Sequence, residues 1–286
     1  MDISQIRKLK PRLKKFLKRF DACFTRKDTR THLPTYISGQ LSDIPEKSVE
    51  PIAINAGVAP RTLQEFLSQH RWDHDAMLDE LQHIVRDEHS GPHSIGVIDE
   101  TSDIKKGDKT PGVQRQWCGS RGKKENCLVT VHLGYAREGF HCLIDGELYL
   151  PETWSNDRPR CREAGIPDYM LYRPKWKIAL ELYDHALKNG IHFDWMTFDE
   201  GYGSKPDILR GLDARDQKFV GEAGLTISSR PGGFGQPEHH SLASDVPFHQ
   251  HMAWKTTSVQ ASPCLRVCDS TSLISFRREN SSGLPA

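Results

Sequence analysis

The stretch SIGVIDET, residues 94–101, is a short apolar run that ends in acidic and polar side chains. Such a run indicates a buried strand with a polar end. Two more runs follow, NCLVTVHLGYA at 126–136 and FHCLIDGELYL at 140–150, and Glu138–Gly139 between them suits a hairpin turn. The three segments predict an antiparallel meander that begins a sheet.

Helices and strands alternate after this meander. Residues 175–189 have the apolar period of an amphipathic helix, and residues 192–199 read as a fourth strand. Residues 205–217 predict a short helix, and residues 218–224 predict a last strand. The order of three strands, helix, strand, helix and strand indicates an α/β fold, a mixed sheet covered by flanking helices.

A helical region precedes the sheet. Residues 5–27 repeat apolar side chains at steps of three and four, which predicts one amphipathic helix. Residues 31–60 contain four prolines and read as turn-rich, whereas residues 60–87 predict two short helices joined near His70–Asp73. We expect residues 1–90 to form a helical N-terminal region, which is either a DNA-binding module or a helical cap on the next domain.

Composition indicates a soluble globular protein, because 36% of the 286 residues are hydrophobic and 27% are charged. No apolar run approaches the roughly 20 residues of a membrane helix, and the basic N-terminus lacks the apolar centre of a signal peptide. We therefore expect a cytoplasmic protein that does not enter a membrane. The net charge of +1 argues against a basic nucleic-acid coat over the whole surface. Residues 1–30 nevertheless hold eleven Lys and Arg against three Asp, which is either a phosphate-binding footprint or a solvated helix face.

The C-terminal region loses these patterns. Ser, Pro and Gly supply 22 of the 66 residues in 221–286 but only 23 of the 126 in 95–220. This composition predicts a disordered tail at 223–286. The seven cysteines are scattered and odd in number, which indicates free thiols in a reducing compartment. Cys264 and Cys268 follow several histidines, but their spacing matches no usual zinc pattern.

Two carboxylates occupy matching places in the predicted sheet, since Asp99 closes the first strand and Asp199 closes the fourth. Sites in α/β sheets gather where strands end, so these acids can meet although 100 positions separate them. Two neighbouring carboxylates repel each other, and a divalent cation relieves that repulsion. Oxygen ligands favour Mg²⁺ or Mn²⁺ over zinc. The alternative is that each Asp forms a turn after its strand.

Three blocks carry a resemblance to a known family: VIDETSDIKKGDKTPGVQRQWCGSRGKKENCLVTVHLGYA (97–136), LYLPETWSNDRPRCREAGIP (148–167) and PKWKIALELYDHALKNGIHFDWMTFDEGYG (174–203). They resemble bacterial insertion-sequence transposases of the DDE superfamily, over roughly residues 60–222. The resemblance implies an RNase H-like catalytic domain at 91–222. It also implies that Asp99 is the first catalytic, metal-binding acid and Asp199 the second. The neighbouring Glu100 and Glu200 receive no role.

The same resemblance implies a mechanism. Two Mg²⁺ or Mn²⁺ ions activate a water that cuts DNA at the end of the element, and the freed 3′-hydroxyl then attacks target DNA. The partners are therefore the terminal repeats and the target DNA, together with further copies of the chain in a homo-oligomer. Basic residues near Asp99 fit a phosphate-holding strip, although a solvated basic loop explains each one individually. They are Lys105, Lys106, Lys109, Arg115, Arg121, Lys123 and Lys124.

One departure from the family concerns the third acid, a Glu on a helix well beyond the second Asp. The resemblance is expected to stop near residue 222, and no later acid, Glu279 included, lies on a convincing amphipathic helix. A shifted reading frame near residues 222–230 explains this pattern. We therefore expect an incomplete catalytic domain with weakly bound metal. An active transposase, an inactive DNA-binding remnant of one, and an unrelated metal nuclease of the same fold remain the three interpretations.

Overall fold

The computed structural model describes residues 3–222, in which a group of helices precedes a sheet within one structural unit. The tail predicted to be disordered, with Cys264, Cys268 and Glu279, lies outside the described residues. Within them, no helix is long and apolar enough to cross a membrane.

Five helices form the N-terminal region around a core of their own. Tyr36, Ile52, Leu63 and Phe66 are among its most deeply buried side chains. The helices are α1 (Ile3–Lys18), α2 (Lys27–Gln40), α3 (Val49–Asn55), α4 (Pro60–Ser68) and α5 (His74–His89). The two short helices predicted at 60–87 are therefore confirmed as α4 and α5, and Asp73 caps α5 by accepting from the Ala76 N–H.

The single helix predicted at 5–27 is wrong, and so is the turn-rich stretch at 31–60. The chain leaves α1 at Lys18, makes a 3-10 turn at Asp21–Cys23 and enters α2. The prolines misled the prediction because two of them lie in the first turns of α3 and α4, where a missing N–H costs nothing. Pro34 lies inside α2, where a proline is unfavourable. The burial of its neighbour Leu33 and of other side chains of the helix offsets this cost.

A mixed sheet follows, with β1 at its centre. The strands are β1 (Ile95–Ile104), β2 (Gln114–Cys118), β3 (Lys123–Arg137), β4 (Phe140–Leu148), β5 (Trp195–Phe198) and β6 (Phe219–Gly221). β1 pairs antiparallel with β3 and parallel with β5, β5 pairs parallel with β6, and β4 pairs antiparallel with β3. The order β4-β3-β1-β5-β6 is that of an RNase H-like sheet, so the predicted fold class is confirmed.

The hairpin between β3 and β4 turns where the sequence predicted. Glu138 and Gly139 both have positive φ, 50° and 90°, as a two-residue turn matched to the twist of a hairpin requires. Short helices that the sequence did not reveal, α6 (Glu152–Ser155) and α7 (Arg158–Glu163), follow β4 and enclose a small core around Trp154.

One long helix packs on the central strands of the sheet. α8 (Lys175–Lys188) buries Ile178 and Tyr183 in the core that includes Ile98 of β1 and Leu133 of β3. The short α9 (Glu200–Gly203) and α10 (Pro206–Asp213) connect β5 to β6. The predicted helix, strand, helix and strand after the meander are thus confirmed, with shorter strands than expected.

The prediction that Asp99 closes the first strand is wrong. β1 continues to Ile104, because residues 100–104 pair with 127–131 of β3 in the same ladder. β2 pairs with the start of β3 and so widens the sheet next to this ladder. The acids misled the prediction, since polar side chains remain partly exposed on this part of the strand while its backbone stays paired with β3.

Candidate active site

Asp99 and Asp199 follow residues that are register partners on adjacent parallel strands. Ile98 of β1 is paired with Phe198 of β5, so each Asp is one step beyond the paired position. Neighbouring strands lie about 4.8 Å apart, which brings the two aspartates to the same level of the sheet. Asp199 closes its strand as the sequence predicted, whereas Asp99 lies in the middle of β1.

Local hydrogen bonds orient both carboxylates. Asp99 accepts from the Glu100 N–H at 2.7 Å. Asp199 is the N-cap of α9 and accepts from the Tyr202 N–H at 3.3 Å. A Cβ at Gly201 would lie 3.1 Å from Asp199 Oδ1, so glycine at this position leaves the carboxylate its room.

The surroundings of Asp99 disfavour its ionised form. Partial burial, together with the negative charges of Asp199 and Glu100, raises the pKa of Asp99 above its ordinary value, against the lowering effect of its hydrogen bond. Glu100 has a cation, since Lys175 Nζ lies 2.6 Å from its Oε2. No Lys or Arg of the described residues forms such an ion pair with Asp99 or Asp199. The two aspartates therefore present uncompensated negative charge.

Tyr202 faces the same charges from inside the protein. Its side chain is 4% exposed, and its hydroxyl has no hydrogen-bond partner among the described residues. Burial raises the pKa of the phenol, and the charges of Glu100, Asp199 and Asp99 raise it further. A neutral hydroxyl without a hydrogen-bond partner among the described residues is thus held close to three carboxylates.

The donor set fits part of a Mg²⁺ or Mn²⁺ site. Carboxylate oxygens are the ligands these hard cations prefer, and the repulsion around Asp99 is what a cation would relieve. Within residues 3–222, however, no group of three or more His, Cys, Asp or Glu side chains is arranged to hold a metal ion. Further ligands would have to come from water, from a phosphate or from elsewhere in the chain.

A cavity of about 600 Å³ adjoins Asp199. Glu100 and Glu200, which received no role from the sequence, contribute to its lining, as do Lys175, Lys205 and Tyr202. Sequence reasoning missed Lys175 because its pairing with Glu100 joins positions 75 residues apart. The motif GYG was part of the resemblance, but nothing in it indicated a buried hydroxyl.

The seven basic residues predicted to hold phosphates do not lie on loops next to Asp99. Arg115 is in β2, Lys123 and Lys124 begin β3, and Arg121 lies in the turn between these two strands. The other three lie between β1 and β2. Their ion pairs separate them into two groups. Three pair with acids, at 2.5 to 2.9 Å, in the couples Lys105–Asp103, Lys109–Glu163 and Lys123–Glu125. Four are exposed and form no ion pair with a described residue: Lys106, Arg115, Arg121 and Lys124.

Comparison with known proteins identifies the family. The model of the DDE superfamily endonuclease family matches residues 19–260. The chain belongs to this family. A probable transposase for insertion sequence element IS701 from Microchaete diplosiphon is 31% identical to it over 185 residues. That alignment covers 64% of this chain and 46% of the relative, so the chain spans about half the length of the curated relative it matches.

A solved structure was also found, the crystal structure of the Mos1 mariner paired end complex with Mn. It is 12% identical and covers 74% of this chain and 68% of that chain, with a TM-score of 0.21, too low to support an inference. The family match is more informative about the tail. It continues to residue 260, so the expectation that DDE superfamily sequence stops near residue 222 is not supported.

Proposed function

We propose that this chain is the DNA transposase of an insertion sequence and acts by metal-dependent strand cleavage and strand transfer, with Asp99 and Asp199 as catalytic metal ligands. The observation that carries the proposal is their placement at one level of two adjacent strands, with no ion-pairing Lys or Arg among the described residues. The terminal repeats of the element and a target DNA are the proposed substrates. We further propose action in the cytoplasm and as a homo-oligomer.

The metal, when bound, would neutralise the carboxylates and activate water for attack on a phosphodiester. The chain's own residues supply the rest. The Tyr202 N–H and the Glu100 N–H fix the orientation of the two aspartates. Lys175 holds Glu100, which limits the negative charge that faces the DNA. The four exposed cations of the region from the end of β1 to the start of β3 would bind the backbone phosphates.

A second function is a DNA-binding transposase remnant without catalytic activity, which is the incomplete enzyme expected from the sequence. The observation that favours it is that, among residues 3–222, no third acid is arranged with Asp99 and Asp199 to hold a metal ion. Ligand number sets the affinity for the cation, so a site with two carboxylates would bind metal weakly. A ligand supplied from beyond residue 222, where the family match continues, would favour the active enzyme.

Nicking of DNA distinguishes these functions. The substrate is a supercoiled plasmid that carries the DNA flanking the coding sequence, incubated with purified protein and Mn²⁺. Asp99→Asn and Asp199→Asn serve as blanks, because an amide keeps the shape of the side chain and removes its charge. Nicking by the unmodified chain well above both blanks supports the transposase. Equal, background nicking by all three proteins, with DNA binding intact, supports the remnant.

Metal binding has a readout that does not depend on activity. A cation that binds only the folded protein raises its melting temperature. We expect Mn²⁺ to stabilise the unmodified chain more than Asp199→Asn. Equal stabilisation of the two proteins would contradict the proposed ligand role.

The proposed DNA surface is tested by its salt dependence. Replacing Lys106, Arg115, Arg121 or Lys124 by Gln should lower the slope of log affinity against log salt by about 0.9 for each phosphate that the variant no longer neutralises. Lys109 and Lys123 should matter less, since each is paired with a Glu. Lys188→Gln, at the exposed end of α8, is the matched control. Unchanged slopes in all four variants would show that these residues do not form the DNA-binding surface.

The basic N-terminal segment, 1–30, needs a gentler test than deletion. Phe20, Cys23 and Phe24 are buried in the helical core, so their removal would disrupt folding. Gln substitutions at the exposed Lys14, Lys15 and Lys18 leave that core intact. Weaker DNA binding with a smaller salt slope would assign phosphate contacts to α1, and unchanged binding would leave a solvated helix face.

A further inference from the structure

We infer that the cavity beside Asp199 receives one unpaired nucleotide of a DNA strand, with its base against aromatic side chains. This inference rests on the proposed function, because it takes DNA as the substrate. The cavity volume of about 600 Å³ lies in the range of small-ligand pockets. A single nucleotide, rather than an intact duplex, suits a concave site of that size.

Aromatic side chains from separate parts of the chain line this cavity. Trp117 comes from β2, Tyr149 follows β4, Tyr172 precedes α8, and Trp176 lies in its first turn. Trp117 is 54% exposed and Tyr172 is 39% exposed, so large apolar surface remains open to a ligand. Every nucleobase offers a flat face that stacks on such rings, independently of sequence.

Polar groups in the same cavity match the rest of a nucleotide. Lys205 is exposed and forms no ion pair with a described residue, so it is available to a phosphate. Lys175, which is paired with Glu100, lies 5.4 Å from the centre of the Tyr149 ring. Tyr202 also lines the cavity, and its buried hydroxyl has no hydrogen-bond partner among the described residues.

The neighbouring carboxylates explain why an unpaired nucleotide would be held here. Asp199 lines the cavity and is also one of the proposed metal ligands. A base removed from its stack and bound beside Asp199 would fix the adjoining phosphodiester next to the metal site. Such extraction has a free-energy cost, which stacking on the aromatic side chains would offset.

The test compares two DNA duplexes in EDTA, where no cleavage occurs. One ends in a single unpaired nucleotide, and the other carries an abasic residue at that position. Fluorescence anisotropy gives the affinity of each for the protein. The unmodified chain should bind the intact end roughly five- to 150-fold more tightly than the abasic end, the range expected for one stacked base.

Variants assign this difference to the cavity. Trp117→Ala should bind both ends with nearly equal affinity, whereas Trp117→Phe should keep most of the preference because it keeps an aromatic ring. Trp195→Ala is the matched control, since Trp195 is a second exposed strand tryptophan, 45% exposed, that does not line the cavity. Loss of the preference in Trp195→Ala, or its survival in Trp117→Ala, would overturn the inference.

Two further arms complete the design. A free deoxynucleotide that displaces the intact end as well as an equal concentration of that DNA would show that the cavity binds nucleotides rather than a strand end. Asp199→Asn bears on the proposed function separately. If that variant keeps the base preference, and no protein nicks DNA, the proposed catalysis fails while the nucleotide pocket stands.

Discussion

Two pairs of aspartates in this protein have opposite surroundings. Asp79 of α5 and Asp145 of β4 both bind His185 of α8, at 2.7 and 2.5 Å, through its two ring nitrogens. Asn189 also donates to Asp79, and Gln82 donates to Asp145. Among the described residues, by contrast, Asp99 and Asp199 accept hydrogen bonds only from backbone N–H groups, and the charges of Asp199 and Glu100 act on Asp99.

The different surroundings shift the pKa values in opposite ways. The hydrogen bond from Asn189 is the largest cause of the lowered pKa of Asp79, and its bonds with His185 add to it. Burial alone would lower the pKa of His185, but the bonds to Asp145 and Asp79 outweigh it and raise that pKa. The pKa of Asp99 is instead raised by burial and like charges.

This contrast separates acids that serve the fold from acids that serve a ligand. The network of Asp79, Gln82, Asp145, His185 and Asn189 joins the helical region to the sheet and satisfies its own charges. A pair of acids left in repulsion is a candidate for function, because no Lys or Arg among the described residues compensates it and a bound cation would. Four experiments test whether the two pairs differ in this way.

DNA cleavage should change the most. If the chain is the active enzyme, Asp99→Asn or Asp199→Asn should reduce Mn²⁺-dependent nicking about a thousandfold, since losing the charge stabilisation of one ion is worth about 4 kcal/mol. Asp79→Asn should nick normally while it remains folded. A comparable loss in Asp79→Asn would erase the distinction between the two pairs.

A large effect on folding is expected at Asp145, whose side chain is 4% exposed. Asp145→Ala would leave His185 Nδ1 without its carboxylate and Gln82 with the Ile144 carbonyl as its remaining acceptor in β4, and breaking a buried pair in this way costs about 3–5 kcal/mol. Urea denaturation measures the loss. The control is Asp184→Ala, which breaks a surface pair with Arg215 and should cost under about 1 kcal/mol. Equal losses would show that the network is not structural.

The pH dependence of stability should reveal His185 in its own window. Because its folded pKa is raised, its contribution is complete below the ordinary value of 6.5 and is lost as the pH rises through the folded pKa. The slope is at most about 1.4 kcal/mol per pH unit for one proton. His185→Asn should flatten the profile above pH 6.5 in urea denaturation. An unchanged slope in that variant would assign the titration elsewhere.

The smallest effect has the opposite sign. Without metal, Asp99→Asn should raise the free energy of unfolding, by less than about 1 kcal/mol because solvent screens a partly exposed charge. The gain should vanish as the pH falls through the raised folded pKa of Asp99 towards its ordinary value of 3.8, since protonation then removes the same charge. Asp43→Asn, at an exposed position, is the control. A destabilised Asp99→Asn protein would mean that the fold needs this carboxylate.

Short-range patterns predicted a large part of the fold. The apolar period of residues 175–189 indicated α8, and the turn at Glu138–Gly139 indicated the β3–β4 hairpin. These elements report which side of a segment is buried, and that information is local. Local rules failed at 31–60, where burial of side chains such as Tyr36 and Ile52 overrides the prolines.

Some features of the candidate site could likewise be predicted from the sequence, and others could not. The amino-acid sequence alone establishes that acids follow Ile98 and Phe198, that Gly201 accompanies Asp199, and that the chain resembles DDE transposases. The three-dimensional structure was needed to show that Asp99 lies within a continuous strand, that Lys175 neutralises Glu100, and that Tyr202 keeps an unpaired hydroxyl. The physical reason is that charge and hydrogen bonding depend on what lies across the sheet. Strand register and helix packing set those neighbours, and no periodicity in the chain encodes them.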